Sequence, residues 1–154
     1  MASFASCAVY KPVPEGTTGP VASLADSGFP ASTTRARLFV AQEIDGNDLP
    51  SRVEATSTAS RGLGRRLILR LIDRPIPARP MRVRLRATHA TGAPIDAMIS
   101  QAAGTFRSVE GTVEFAPQPN RKYAVKGELL KERSSVWIED VATEQPVTKK
   151  VTGQ

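Results

Sequence analysis

The chain has 154 residues, 40% of them hydrophobic and 23% charged, with a formal net charge of +6; that suits one domain with its own core and excludes wholesale disorder. A single cysteine, Cys7, and a single histidine, His89, exclude an internal disulfide, a C-x-x-C redox or zinc site and an H-E-x-x-H motif. No apolar run approaches the roughly 18 to 20 residues needed to cross a bilayer, and aromatics at 5% leave an aliphatic core.

Residues 1–20 read as a flexible arm rich in Pro, Ser and Thr, mobile or draped over the domain, with Lys11 to Gly16 extended or polyproline-like. Residues 21–154 read as one β domain. Val21 to Ala25 is expected as a first edge strand. Leu38 to Ala41 is a short apolar strand that ends at Asp45-Gly46-Asn47-Asp48, a strong turn signal. Arg52 to Ser57 is expected as its return strand, and Arg61 to Gly64 as a flexible connection. Arg65 to Asp73 reads as a central or covered strand, because Leu67, Leu69 and Leu71 alternate with Ile68, Arg70 and Ile72. Pro75, Pro77 and Pro80 forbid a helix or a central strand, so residues 74–80 form a crossover or a stiff edge.

Met81 to His89 alternates most strictly: Met81, Val83, Leu85 and Ala87 against Arg82, Arg84, Arg86 and Thr88. Residues 94–103 are the one helical candidate, stopped by Gly104. Strands follow at Val109–Phe115 and Tyr123–Leu130, joined by a turn at Pro117–Asn120, then at Val136–Asp140 and at Val147–Val151. About seven or eight strands with short turns predict an all-β fold, an antiparallel sandwich of immunoglobulin-like or transthyretin-like type, or a barrel.

The positive charge is concentrated in one place. Between Arg61 and Arg86 nine arginines face one acid, Asp73. Arg82, Arg84 and Arg86 are expected on one sheet face about 7 Å apart. Together with Arg70 they are the candidate surface for an anion or a partner, since guanidinium suits two-pronged contacts to carboxylate or phosphate. A purely structural reading stands beside this one: Glu110, Glu114 and Glu128 could pair with them across neighbouring strands.

Catalytic and metal motifs are missing. His89 has no G-x-S-x-G companion, the acids around Gly46 fail the EF-hand spacing, and Arg61-Gly-Leu-Gly-Arg65-Arg66 lacks the G-K-[ST] of a phosphate loop. Glu110, Glu114, Glu128, Glu139 and Asp140 would qualify for carboxylate catalysis by residue type alone. Trp137 is expected to cover core or pack under the arm. The expectation is a non-enzymatic domain without metal or cofactor.

Phe4-Ala-Ser-Cys7 resembles the end of a bacterial lipobox, and Cys7 to Gly16 resembles the Pro-rich start of a mature lipoprotein. Tyr123 to Leu129 and Ser135 to Thr143 resemble the C-terminal hairpin of small β-sandwich lipoproteins of Gram-negative bacteria. The resemblance implies a periplasmic cell-envelope domain, anchored to the outer membrane through a lipid on Cys7 and otherwise soluble. Phe4 stands where Leu is usual, and residues 1–6 lack the apolar half of a signal, so lipidation is conditional on sequence upstream. The implied partner is another envelope protein or an anionic envelope surface. The alternative is a cytoplasmic polyanion or nucleic-acid module using the same arginines. No base-stacking aromatic lies between Arg61 and His89, which counts against nucleic acid.

Overall fold

Strands that are apolar on one face must bury that face against another layer. The computed structural model describes residues 9–104 and 106–153. In chain order they form β1 (Val21–Ala25), β2 (Ser27–Pro30), β3 (Arg35–Ile44), β4 (Asn47–Asp48), helix α1 (Arg52–Ser60), β5 (Asp73–Pro77), β6 (Met81–Thr91), helix α2 (Pro94–Ala102), β7 (Ser108–Phe115), β8 (Lys122–Leu129), β9 (Ser134–Asp140), β10 (Gln145–Pro146) and β11 (Val151–Gly153). One sheet runs β10-β9-β8-β1-β5, with β11 also on β9; the other runs β2-β3-β6-β7, with β4 on β3. Among the described residues every pairing is antiparallel except that of β1 with β8. The fold is the expected all-β sandwich.

The core between the sheets is aliphatic, as the scarcity of aromatics requires. Leu24, Ile76, Val125, Val136 and Ile138 of the first sheet meet Ile44, Val83 and Leu85 of the second, all fully buried. Each such side chain contributes about 1.5–3 kcal/mol. Phe115 on β7 packs edge-on against Tyr123 on β8, ring centroids 4.9 Å apart. Near the N-terminus, Tyr10 is half-buried against this core.

The second sheet carries a smaller core on its outer face. Leu38, Val40 and Ala90 are buried there under Val53 of α1 and under Leu67 and Leu69. This roof explains why β3 buries Leu38, Phe39, Val40 and Ala41 in succession.

Three expectations are corrected. Residues 52–57 are not a return strand but the start of α1. The Ser51 hydroxyl accepts the Glu54 N–H at 3.1 Å, the first half of a capping box. Residues 65–73 are not a central strand. The stretch 66–72 belongs to neither sheet, and several of its amides are taken by other groups. Leu67 N–H goes to the Thr33 carbonyl at 2.9 Å, Ile68 N–H to Ser60 Oγ at 2.8 Å and Arg70 N–H to Thr56 Oγ1 at 3.0 Å. Finally, β1 is not an edge but lies between β8 and β5. The proline-bearing β5 is the edge, as the missing amide hydrogens require.

Several other elements fall where expected, whereas β2 has no counterpart among the expected strands. Asp45 and Gly46 make the β3–β4 turn with φ of 49° and 84°, and α2 ends before Gly104 at φ 68°. The expected last strand, Val147–Val151, is also corrected: residues 147–150 are not strand, and β11 is Val151–Gly153.

Candidate functional site

The strict alternation of β6 places Arg82, Arg84 and Arg86 together on the outer face of the second sheet, between β3 and β7. Cross-strand register decides what each one meets. Arg82 lies opposite Glu114 and approaches its carboxylate to 3.6 Å, both side chains well exposed. Arg84 reaches Glu43 at 3.1 Å and Asp48 at 3.6 Å, while its Nε is buried without an acceptor. Arg86 lies opposite Glu110 but donates through Nε to Ser108 Oγ at 3.3 Å. Two of the anticipated acids, Glu110 and Glu114, are therefore neighbours of this arginine ladder. Glu128 is not: it sits on β8 in the other sheet, opposite Ser135. Arg70 does not join the ladder either, being exposed on the 66–72 segment beside Ala55, Thr58 and Ala59 of α1.

The same sheet face is thus divided. Its apolar half, Leu38, Val40 and Ala90, is roofed by α1 and residues 67–69. Its charged half is open, and exposed pairs of this kind contribute at most about 1 kcal/mol each. A cavity of about 350 Å³ lies at the boundary, lined by Gln42, Asp48, Arg52, Glu54 and Arg84 among others.

A second basic group was not anticipated from sequence. Arg35 and Arg37 on β3, His89 on β6 and Arg107 just before β7 gather at one end of the second sheet. Arg37 is the register partner of His89, and Arg107 gives and takes backbone hydrogen bonds there. His89 is 7% exposed. Its Nδ1 accepts the Arg107 N–H at 3.0 Å, and its ring lies 5.9 Å from that of Phe106. Burial lowers the imidazole to about 4, assisted by the nearby charges of Arg35, Arg37 and Arg107. It is therefore neutral at pH 7, with its proton on Nε2. The signal that could have revealed this group is side-chain parity: 35, 37 and 39 alternate with the outer face, as do 87 and 89, and 107 and 109.

Trp137 is buried, with Lys150 of the C-terminal segment over its ring. Lys150 Nζ stands 4.1 Å from its ring, and its Nε1 donates to Glu139 Oε2 at 3.3 Å. Among the described residues no group of three or more His, Cys, Asp or Glu is placed to hold a metal ion, and no helix is long and apolar enough to cross a membrane. Cys7 lies outside the described residues. No protein-family model, curated protein or solved structure matches this chain.

Proposed function

We propose that this chain is the non-enzymatic domain of an exported cell-envelope protein, and that it binds another protein through the arginine ladder. The envelope setting rests on the lipobox-like Phe4–Cys7 and the Pro-rich residues after it. The binding surface rests on one observation, the half-roofed sheet face: α1 and residues 67–69 cover its apolar part and leave Arg82, Arg84 and Arg86 open.

The partner's chemistry follows from the counter-charges. Glu43, Asp48, Glu110 and Glu114 stand among the three arginines, so the face presents alternating charge rather than a continuous positive field. A polyanion would meet repulsion at every second position. A protein surface bearing its own interleaved acids and bases would exchange weak intramolecular pairs for intermolecular ones, which favours specificity and encounter rate.

The test is retention of the purified domain on immobilised envelope proteins, on anionic vesicles and on nucleic acid, comparing wild type with the Arg82→Gln, Arg84→Gln, Arg86→Gln triple variant. Retention on the protein fraction alone, reduced about tenfold or more in the variant (a change of roughly 1.4 kcal/mol), supports the reading. Equal retention of both proteins, or salt-sensitive retention on nucleic acid, overturns it.

A further inference from the structure

The core-facing rows of the second sheet do not stop where the core stops. On β3, Phe39 packs against Gly127 of β8; the next two residues of the same parity are Arg37 and Arg35. On β6, buried Ala87 is followed by His89, and Val109 of β7 is preceded by Arg107. The opposing sheet ends here, with Leu129 paired to Ser134 as the last rung of β8 and β9. A strand face that was apolar therefore becomes, within one repeat, a basic mouth at one end of the sandwich.

Arg37, His89 and Arg107 keep donors unspent in this mouth. Arg107 Nε donates to the Leu130 carbonyl at 2.8 Å, which fixes the guanidinium and leaves its Nη groups available. Arg37 is exposed. Among the described residues no carboxylate lies within 4.0 Å of Arg37 or Arg107. The buried imidazole of His89 uses Nδ1 as an acceptor, so Nε2–H is a donor, and no acceptor for it occurs among the described residues. Arg35 adds further positive field.

We infer that this mouth is a binding site for a tetrahedral oxyanion, a phosphoryl or sulfate group, seated between His89 Nε2–H and the guanidinium groups of Arg37 and Arg107. Three donors arriving from three strands match three oxygens of such a group better than the two of a carboxylate. Guanidinium gives charge-assisted, two-pronged contacts. A neutral imidazole contributes a directional hydrogen bond without adding a fourth repelling charge. The site is separate from the arginine ladder, which lies on the opposite face of the sheet and is interleaved with acids.

His89 is the only histidine in the chain, so its ring resonances report the site directly by NMR. Inorganic phosphate and sulfate are titrated against chloride at matched ionic strength. Vesicles of phosphatidylcholine with and without phosphatidic acid test whether the group is presented by a lipid. The expected result is a saturable shift of the His89 ring signals with phosphate or sulfate, or retention on the phosphatidic acid vesicles alone. Either response should weaken about tenfold or more in Arg37→Gln and persist in the triple variant of the ladder. Arg37 is exposed, so that substitution spares the core; Arg107→Gln provides a second variant. A response to phosphate no larger than to chloride, with no vesicle selectivity, overturns the proposal. So does an unchanged response in both Arg37→Gln and Arg107→Gln.

Discussion

Asp26 and Arg74 form a buried two-pronged ion pair, Nη1 to Oδ1 at 3.1 Å and Nη2 to Oδ2 at 2.6 Å. The pair stands at the corner where the chain leaves β1 in one sheet and enters β2 in the other. Asp26 Oδ1 also accepts the Ala41 N–H at 3.0 Å, beside the register shift of β3. The adjoining Ser27 hydroxyl donates to the Val125 carbonyl. One carboxylate therefore joins β5, β3 and the corner between the sheets. Burial pushes it above the usual carboxylate range, against the pull of Arg74.

Breaking that pair from one side should be expensive. Arg74→Met leaves a buried carboxylate without its cation and should lower stability by about 3–5 kcal/mol, read from urea unfolding. Asp26→Asn in the same chain keeps an acceptor for Ala41 and should recover much of the loss. Additive losses in the double variant would show that the two side chains are not coupled.

His89 gives the domain a predictable pH dependence. Its folded value of about 4 lies below the ordinary 6.5, so the unfolded chain binds more protons between those values. The stability linked to this group is fully present above pH 6.5 and is lost as pH falls through about 4. A difference on the order of 1–3 kcal/mol is expected across that window. In His89→Asn, which retains an acceptor for the Arg107 amide, the component in this window should vanish. An unchanged profile from pH 6.5 down to 4 would assign the slope to other groups.

Two glycines in strands mark close approaches. A Cβ on Gly111 would come within 2.7 Å of a Val151 methyl, where β11 packs against β7; one on Gly127 would lie 2.5 Å from the Ser135 carbonyl and 2.7 Å from the Phe39 ring. Each Gly→Ala change should cost about 1–3 kcal/mol through overpacking. Val151→Ala should rescue Gly111→Ala, because a side chain can give way, and should not rescue Gly127→Ala, where backbone blocks the site. Thermal unfolding of the four variants distinguishes these outcomes.

Helix α1 depends on polar contacts more than on apolar packing. Its buried residues are Thr56 and Ser60, and their hydroxyls hold the amides of Arg70 and Ile68. Ser51→Ala should cost about 1 kcal/mol through loss of the cap. Thr56→Val should cost about 1–3 kcal/mol by orphaning the Arg70 amide, and hydrogen exchange at Arg70 should quicken. Unchanged protection there would disprove the tether.

The sequence alone determined the elements whose chemistry is local. Period-two alternation located β6, β7, β8 and β9; Asp45-Gly46 marked its turn, Pro94 and Gly104 bracketed α2, and the prolines confined residues 74–80 to an edge. It also placed three arginines on one face, since parity along one strand needs no knowledge of neighbours. Tertiary structure decided the rest. Residues 52–57, expected as a return strand, are helical instead, and the Thr56 and Ser60 hydroxyls acquire their meaning from the distant backbone of residues 70 and 68. The Leu-rich segment 65–73 looked like a strand because apolar alternation shows which side chains are buried and not where the amides go. The parallel partner of β1 lies nearly a hundred residues away. The cationic mouth forms because three separated strands outrun the sheet that faces them, and where a facing layer ends is a property of the assembled pair of sheets, not of any one strand.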